Sequence, residues 1–222
     1  MNILADAKRR IGDFLDITNS SAAGRTVFKA VLCAVLICSL MSMTEFSAQS
    51  EEISESVLRL HILANSDSEE DQNLKLNVRD LVQKMCYNMY KDIDSREEAE
   101  SVVREHLDEI TAAAQSEVYR LGYDYPVKAE LTNMYFTNRV YDDITLPAGY
   151  YDAVRITIGE GMGHNWWCVM FPPICISTAE STADISDVLS DEQTQLVTDK
   201  SYSCKFKVYE VFCDISEKIK GK

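Results

Sequence analysis

The chain is short of basic residues and has only one long apolar run. Its 222 residues include 22 lysines and arginines against 36 aspartates and glutamates, which gives a formal net charge of −14. A surface of that sign repels phosphate backbones, so we expect no nucleic-acid partner. A single apolar run excludes a polytopic membrane protein. Because 46% of the residues are hydrophobic, the chain can still bury a core of ordinary size.

Motifs for several common kinds of chemistry are missing as well. The three histidines, His61, His106 and His164, show none of the spacings typical of a metal site, so we predict no metal and no cofactor. The sequence Gly-Lys-Ser/Thr does not occur, which excludes a P-loop. Three glycines alternate within residues 159–163, but a dinucleotide fingerprint must open a helix. Here an apolar strand pattern and two prolines follow instead.

The apolar run predicts an exported protein. Residues 30–43 read AVLCAVLICSLMSM, which is shorter than the roughly 20 residues of a spanning helix but long enough for the core of a signal peptide. Basic residues precede the run, and the chain turns acidic after it. By the positive-inside rule, the carboxy-terminal part of the chain ends up across the membrane.

Two fates of this leader stay open. Ala48 and Ser50 are small residues at the positions that a signal peptidase reads, which favours cleavage after Ser50. The stretch before the apolar run is long for a signal peptide, which favours an uncleaved anchor. In both cases we predict a leader over residues 1–50 and an exported domain over residues 51–222, in which residues 51–55 form a short linker.

The periodicity of the exported part predicts an α+β fold. One helix starts after a Ser68 cap and runs over residues 69–91, and a second starts at a Ser95 capping box and ends before Gly122. A further short helix is expected within residues 177–195. This order predicts an antiparallel or mixed sheet with two long helices on one face, preceded by a signal or anchor segment. The predicted strands, which alternate with period two or are wholly apolar, are 57–63, 127–139, 151–158, 166–171 and 202–212.

Polar side chains crowd the turn between the first strand and the first helix. A strand end and a helix N-terminus concentrate backbone donors, so this turn is a candidate rim for recognition or catalysis. In the alternative interpretation the serines cap the helix, and Lys75 and Arg79 form ion pairs at the surface. The candidate residues of the rim are Arg59, His61, Asn65, Ser66, Asp67, Asp71 and Gln72.

Two adjacent tryptophans mark a second segment, residues 159–175. Neighbouring strand residues point to opposite faces, so Trp166 and Trp167 cannot both enter the core. We expect one to pack inside, and the other either to be exposed for a partner or to be covered by the same chain. Cys168 and Cys175 predict a small disulfide-closed loop that stabilises the fold by about 2–3 kcal/mol. The candidate partner-binding residues here are Asn165, Trp166, Trp167, Pro172 and Pro173.

An exported hydrolase acting on peptide or cell wall is the alternative to a binding module. It would use His61 with Asp67 as a general base, or Cys168 as a nucleophile with His164 as its base. Export favours oxidation of the thiol, and the sequence shows no third group that would orient such a pair. We therefore favour a binding module without enzyme activity.

Together the two segments strongly resemble the stage II sporulation protein R family. The resemblance rests on RLHILANSDSEEDQNLKLNVRD at residues 59–80 and on GEGMGHNWWCVMFPPIC at residues 159–175, and it runs from about residue 57 to residue 212. It implies a signalling protein that is made in the forespore and exported across the forespore membrane into the intermembrane space.

The resemblance also implies a partner. Members of this family activate a membrane-embedded aspartic protease of the mother cell, which then processes pro-sigma-E. The extracytoplasmic face of that protease is therefore the expected partner of residues 51–222, and the membrane is a second partner if the leader is not cleaved. The family supplies no catalytic residue to carry over.

Overall fold

A computed structural model of the chain describes residues 22–90, 93–174 and 185–220. It divides into two bodies, one ending at Ser47 and one beginning at Ala48.

Helix α1, Ala22–Glu55, contains the whole predicted apolar run. By length and composition it is apolar enough to cross a membrane, and it is compatible with a signal or anchor segment. The predicted linker at residues 51–55 is wrong, because these residues form the last turns of α1. No glycine or proline interrupts them, and Ile53 is fully buried within the second body.

A four-stranded mixed sheet forms the centre of the second body. Strand β1, Leu58–Leu63, lies between two neighbours of opposite direction, as the predicted mixed sheet requires. It pairs in parallel with β5, Gly149–Ile158, and antiparallel with β6, Asn165–Phe171. Strand β2, Val127–Phe136, pairs antiparallel with β5 and completes the order β2-β5-β1-β6.

A small hairpin follows β2 that the sequence did not predict. It consists of β3, Arg139–Tyr141, and β4, Ile144–Leu146, which form a separate two-stranded sheet. Both strands have only three residues, which is too short for the period-two signal to stand out.

Helices cover one face of the four-stranded sheet, as predicted. Helix α2, Glu69–Met89, begins at the predicted Ser68 cap, whose hydroxyl accepts a hydrogen bond from the Asp71 backbone N–H. The second predicted helix is instead two, α3 and α4, because the backbone at His106 leaves helical geometry with φ −102° and ψ 12°. Helix α3 spans Arg96–Glu105, and α4 spans Leu107–Arg120.

The hydrophobic core lies between these helices and the sheet. Alternate residues of each strand face it, which is the expected consequence of strand periodicity. The helices add residues spaced by three, four and seven. Its buried members include Leu58, Leu60, Ile62, Leu74, Val78, Val82, Val103, Ile110, Ala114, Val118, Val154, Ile156 and Ile158.

The C-terminal region is helical, so the predicted strand at residues 202–212 is wrong. After a 3₁₀ turn at Ile185–Asp187, helix α5 spans Asp191–Thr198, and after a second 3₁₀ turn helix α6 spans Ser203–Lys220. Phe206 and Tyr209 are buried at a helical spacing of three. The sequence was misleading because apolar residues occur on both sides of α6. Their spacing resembles the period-two alternation of a half-buried strand. Of the short helix expected within residues 177–195, only the part after residue 184 lies within the described residues.

Candidate functional site

The register of the sheet brings most of the predicted site residues together. Strand β6 runs beside β1 so that His61 pairs with Trp167 and Leu63 with Asn165. The start of β6 therefore lies next to the end of β1 and the turn that follows it. Pro172 and Pro173 are buried after the other end of β6, where they lie away from this turn.

We call residues 64–72 the polar turn. Its centre is Asp71, which is 4% exposed and accepts hydrogen bonds from Asn65 Nδ2 at 2.8 Å and from Ser66 Oγ at 2.6 Å. Gln72 Nε2 donates to the Ser66 carbonyl at 2.9 Å. The predicted rim thus contains a closed hydrogen-bond network, and Asn65, Ser66 and Gln72 hold its shape.

These hydrogen bonds set the ionisation of Asp71. Burial by itself favours the neutral acid and so raises the pKa of Asp71. Hydrogen bonds from Ser66, Asn65 and Tyr125 favour the carboxylate and outweigh burial. The pKa of Asp71 therefore lies below its ordinary value of 3.8, and the carboxylate is charged at neutral pH.

A second segment, residues 159–165, lies directly against the polar turn, and we call it the glycine loop. Four hydrogen bonds that join the two have a backbone N–H of the loop as their donor. Because all four donors are main-chain groups, they fix the path of the loop. They run from Glu160 N to Asn65 Oδ1 (3.0 Å), Met162 N to Asn65 O (3.1 Å), Gly163 N to Ala64 O (3.0 Å) and His164 N to Asp67 Oδ1 (2.6 Å).

Two of the three alternating glycines, Gly159 and Gly163, are required by this close approach. A Cβ on Gly163 would lie 2.1 Å from the Ser66 carbonyl oxygen, and one on Gly159 would lie 2.2 Å from Asn65 Oδ1. Gly159 also has a φ of 60°, which side-chain-bearing residues rarely adopt. These glycines do not form a nucleotide-binding motif; they allow the glycine loop to pack closely against the polar turn.

Lys75 does not form the surface ion pair that the alternative interpretation expected, whereas Arg79 forms one with Asp80. Lys75 is 3% exposed, and its Nζ donates to Gln72 Oε1 at 2.6 Å and to the His164 carbonyl at 2.9 Å. Burial lowers the pKa of Lys75. The Arg79 guanidinium lies 4.4 Å from the centre of the Trp166 ring and also pairs with Asp80. Both cations thus fasten α2 to the start of β6.

His164 and Asp67 form a contact that the sequence did not predict. His164 Nδ1 lies within hydrogen-bond distance of Asp67 Oδ1, and the two side chains are 78% and 57% exposed. The hydrolase alternative paired these residues differently. His61 Nε2 lies 3.0 Å from Asn165 Oδ1, and Cys168 is fully buried, so neither His61–Asp67 nor Cys168–His164 is formed among the described residues.

Cys168 is disulfide-bonded and its Sγ accepts a hydrogen bond from Gln83 Nε2 at 3.0 Å. Its predicted partner, Cys175, lies outside the described residues, so the pairing stays a prediction.

The sheet face away from the helices holds a cation–aromatic cluster, formed by Arg59, His61, Phe136, Arg139 and Trp167. The His61 ring stacks on Trp167 with the ring centres 3.9 Å apart and the planes 2° apart. The Arg139 guanidinium lies over the Trp167 ring, 4.9 Å from its centre. The Phe136 ring meets the Trp167 ring edge-on. As expected, one tryptophan, Trp166, packs against the core, although it is only half-buried. Trp167 is also half-buried and is covered by residues of the same chain.

Arg59 is the most deeply buried charge of this cluster. It is 0% exposed, its Nη2 donates to Tyr141 Oη at 2.6 Å, and its Nε donates to the Cys168 carbonyl at 3.3 Å. The guanidinium also lies 4.3 Å from the Phe136 ring centre and 4.7 Å from that of Tyr151. Its Nη1 has no hydrogen-bond partner, and no carboxylate of the described chain pairs with it.

The same cluster makes His61 a weak base. Burial lowers its pKa from the ordinary value of 6.5, and the nearby charges of Arg155 and Arg139 lower it further. The hydrogen bond to Asn165 opposes them without reversing the shift. His61 is therefore neutral at pH 7 and serves as a stacked, buried ring.

Sequence reasoning missed the residues that complete this cluster. Phe136 could have been placed on this face by strand alternation. Arg139 and Tyr141 come from the unpredicted hairpin, and no local pattern indicates that they reach Arg59 and Trp167.

The exposed part of the site is a rigid polar rim, made by Asp67, Glu160, Met162, His164 and Asn165. No group of three or more possible metal-binding side chains occurs among the described residues. Fixed loops with exposed polar side chains are suited to recognising another molecule. The assignment of individual residues to partner binding stays a prediction.

Comparison with known proteins agrees with the sequence resemblance. The family model for stage II sporulation protein R matches residues 54–181, which include the polar turn and the glycine loop. Stage II sporulation protein R of Bacillus subtilis (strain 168) is 36% identical over 183 residues, which cover 78% of this chain and 82% of the relative. A search of solved structures found no significant match. The chain therefore belongs to the stage II sporulation protein R family, and it has a role in sporulation.

Proposed function

We propose that this protein is an exported signal of endospore formation, which activates a membrane-embedded aspartic protease of the mother cell and so leads to processing of pro-sigma-E. The observation that carries the proposal is membership of the sporulation family. Helix α1 supports it, because an apolar helix with basic residues ahead of it is the expected device for moving the following domain across the forespore membrane.

The surface proposed to contact the protease is the rigid polar rim. Binding costs less free energy when the contacting loops are already ordered. The four backbone hydrogen bonds between the polar turn and the glycine loop provide such order. The outward side chains of Asp67 and His164 are then presented in a fixed geometry, and the proposed partner is the extracytoplasmic face of the protease.

The proposal involves binding rather than hydrolysis. His61 already uses Nε2 in a contact with Asn165 and is covered by Trp167, and Cys168 is disulfide-bonded. These contacts weigh against both base–nucleophile arrangements of the hydrolase alternative. The activation step then takes place in the protease, which supplies its own catalytic groups.

The test is processing of pro-sigma-E in a host that contains only the full chain, the protease and the substrate. We expect processing to require the exported chain. The rim is tested by Asp67→Asn and His164→Gln, each expected to reduce processing about tenfold, as loss of a central contact does in other interfaces. Asp67→Asn keeps an oxygen that accepts from the His164 N–H, so the loop is preserved.

A matched control exists elsewhere on the surface. His106 Nδ1 lies 2.9 Å from Glu109 Oε2, so His106→Gln and Glu109→Gln disturb a second exposed histidine–carboxylate pair. We expect both controls to process normally. Equal processing by the rim variants and these controls would show that the rim is not the contact. Failure of the exported wild-type chain to trigger processing would contradict the activator role itself.

A further inference from the structure

Helix α6 carries a continuous apolar stripe on its outer side. At 100° per residue its members fall within an arc of about 100°. The stripe remains exposed in the folded chain, at 55% for Val208 and 62% for Phe212, although an apolar helix face is normally covered. Its members are Cys204, Val208, Val211, Phe212, Ile215 and Ile219.

All three carboxylates of α6 point away from this stripe and into the domain. Asp214 accepts a hydrogen bond from Tyr135 Oη at 2.9 Å, and Glu217 accepts one from Tyr150 Oη. Glu210 accepts from Asn138 Nδ2 at 3.1 Å. The carboxylates thereby attach the helix to the domain, and Glu210 also pairs with Lys207 at 3.0 Å.

Three lysines of α6 lie on the outer side, at the two edges of the stripe. Lys205 flanks one edge, and Lys207 and Lys218 flank the other, and all three are exposed. On a protein of net charge −14, this is a local surface that is apolar and positive. A helix with an apolar face bordered by lysines is typical of segments that lie in the interface of an anionic bilayer.

We propose that the outer face of α6 docks on the surface of an anionic lipid bilayer, with the apolar stripe inserted at the headgroup boundary and the lysines against lipid phosphates. Insertion would remove the apolar side chains from water, and the lysines add attraction to the negative headgroups. This surface is separate from the polar rim, and the inference does not depend on protease activation.

The path of the chain supports a lipid occupant. The second body begins at residue 48, directly after the apolar part of α1. Ser50 and Ser54, from the first turns of this body, line the same cleft as Tyr209, Phe212 and Cys213 of α6. Helix α6 therefore packs beside the point at which the chain enters the domain from its apolar segment.

A second copy of the chain fits the stripe less well. Two α6 helices packed stripe to stripe would bring their flanking lysines together, and like charges at an interface cost free energy. Anionic lipid, in contrast, meets both the apolar and the positive character of this face.

The test uses the full chain reconstituted in vesicles of phosphatidylcholine with phosphatidylglycerol. Because α1 itself binds lipid, the readout must be local to α6. A nitroxide is placed at residue 215 by Ile215→Cys, and a control nitroxide at the exposed apolar position 119 of α4 by Tyr119→Cys. Both are built in a chain whose free cysteines are replaced by alanine, namely Cys33, Cys38, Cys86, Cys204 and Cys213.

We expect the label at residue 215 to be several-fold less accessible to a water-soluble nickel complex than the label at residue 119, and to be more accessible to oxygen. Replacing Lys205, Lys207 and Lys218 by glutamine should reduce this difference in phosphatidylglycerol vesicles. Equal accessibility at the two positions would overturn the proposal. Dipolar broadening between labels at residue 215 would overturn it too, because it would show a second copy on the stripe.

A second measurement needs no substitution. Cys204 is exposed at the start of the stripe, so its alkylation by a charged maleimide can be followed by peptide mapping of the wild-type chain. Vesicles containing phosphatidylglycerol should slow this reaction several-fold relative to detergent. An unchanged rate would contradict docking.

Discussion

Asp71 and Arg59 are both buried charges next to the same strand, and the protein stabilises them in opposite ways. Asp71 accepts hydrogen bonds from Asn65 and Ser66 of its own turn, at most six residues away along the chain, and one further bond from the distant Tyr125. Arg59 is surrounded by aromatic rings and by groups from distant segments, such as Tyr141 and Cys168. The polar turn is therefore a locally encoded structure, whereas the cation–aromatic cluster exists only after the whole sheet has formed.

The two environments also differ in how completely the polar atoms of the buried charge are hydrogen-bonded. The oxygen of Asp71 that faces the turn accepts two side-chain hydrogen bonds. Arg59 leaves Nη1 without a hydrogen-bond partner, and His61 leaves Nδ1 in the same state. An incompletely paired buried cation stabilises a fold little, because its desolvation cost offsets its interactions. We therefore expect the polar turn to contribute more stability than the cluster.

The largest expected effect comes from separating the polar turn from the glycine loop. Gly163→Ala places a Cβ 2.1 Å from the Ser66 carbonyl oxygen, so the backbone of one segment must move. We expect the free energy of unfolding to fall by about 3 kcal/mol. Urea unfolding of the detergent-solubilised chain, followed by the fluorescence of Trp166 and Trp167, measures this loss.

Gly122→Ala is the matched control for that measurement. Gly122 has a φ of 88°, but no atom lies within 4 Å of the position that a Cβ would take. Only backbone strain opposes this alanine, so the loss should be about 1 kcal/mol. Equal losses at the two glycines would mean that the close contact between turn and loop is not what stabilises the site.

A smaller effect is expected from a direct comparison of the two buried charges. Asp71→Asn removes the charge that Asn65 and Ser66 are arranged to stabilise, and it should lower the free energy of unfolding by about 2 kcal/mol. Arg59→Met removes a cation whose desolvation cost is only partly offset, and it should cost about 1 kcal/mol or less. Both are read from the same unfolding curves. A larger loss for Arg59→Met would reverse the ranking of turn and cluster.

The same contrast explains how much of the fold could be predicted from the sequence. The start of α2 was predicted correctly because Ser68 and the acidic residues after it act within one helical turn. The strands of the main sheet were predicted because alternation and short apolar runs are also local properties. Helix α6 was missed because its exposed stripe adds apolar residues on the side where an ordinary surface helix is polar.

The candidate site was predictable to the same extent. The residues of the polar turn were identified from their types and spacing, although their role as mutual hydrogen-bond partners was not. The contacts of His164 with Asp67, and of Arg139 with Trp167, join residues far apart in the chain. They depend on strand order and register, which a single sequence does not specify locally.

The smallest expected effect concerns pH and arises at His61 of the cluster. The pKa of His61 is lowered in the folded state by burial and by Arg155 and Arg139. As the pH falls through 6.5, the unfolded chain binds a proton at His61 that the folded chain does not bind. Stability should therefore decrease below about pH 6.5, until the pH reaches the lowered pKa of the folded state.

His61→Gln removes this titration, so its free energy of unfolding should decrease less than that of the wild-type chain between pH 7 and pH 5. The Asp71→Asn variant keeps His61 and should keep the wild-type dependence over that range, because the carboxyl of Asp71 titrates below pH 3.8. Urea unfolding at several pH values provides the comparison. If His61→Gln keeps the full wild-type slope, the buried ring is not the group that makes the cluster sensitive to acid, and the difference between turn and cluster must be sought in Arg59 alone.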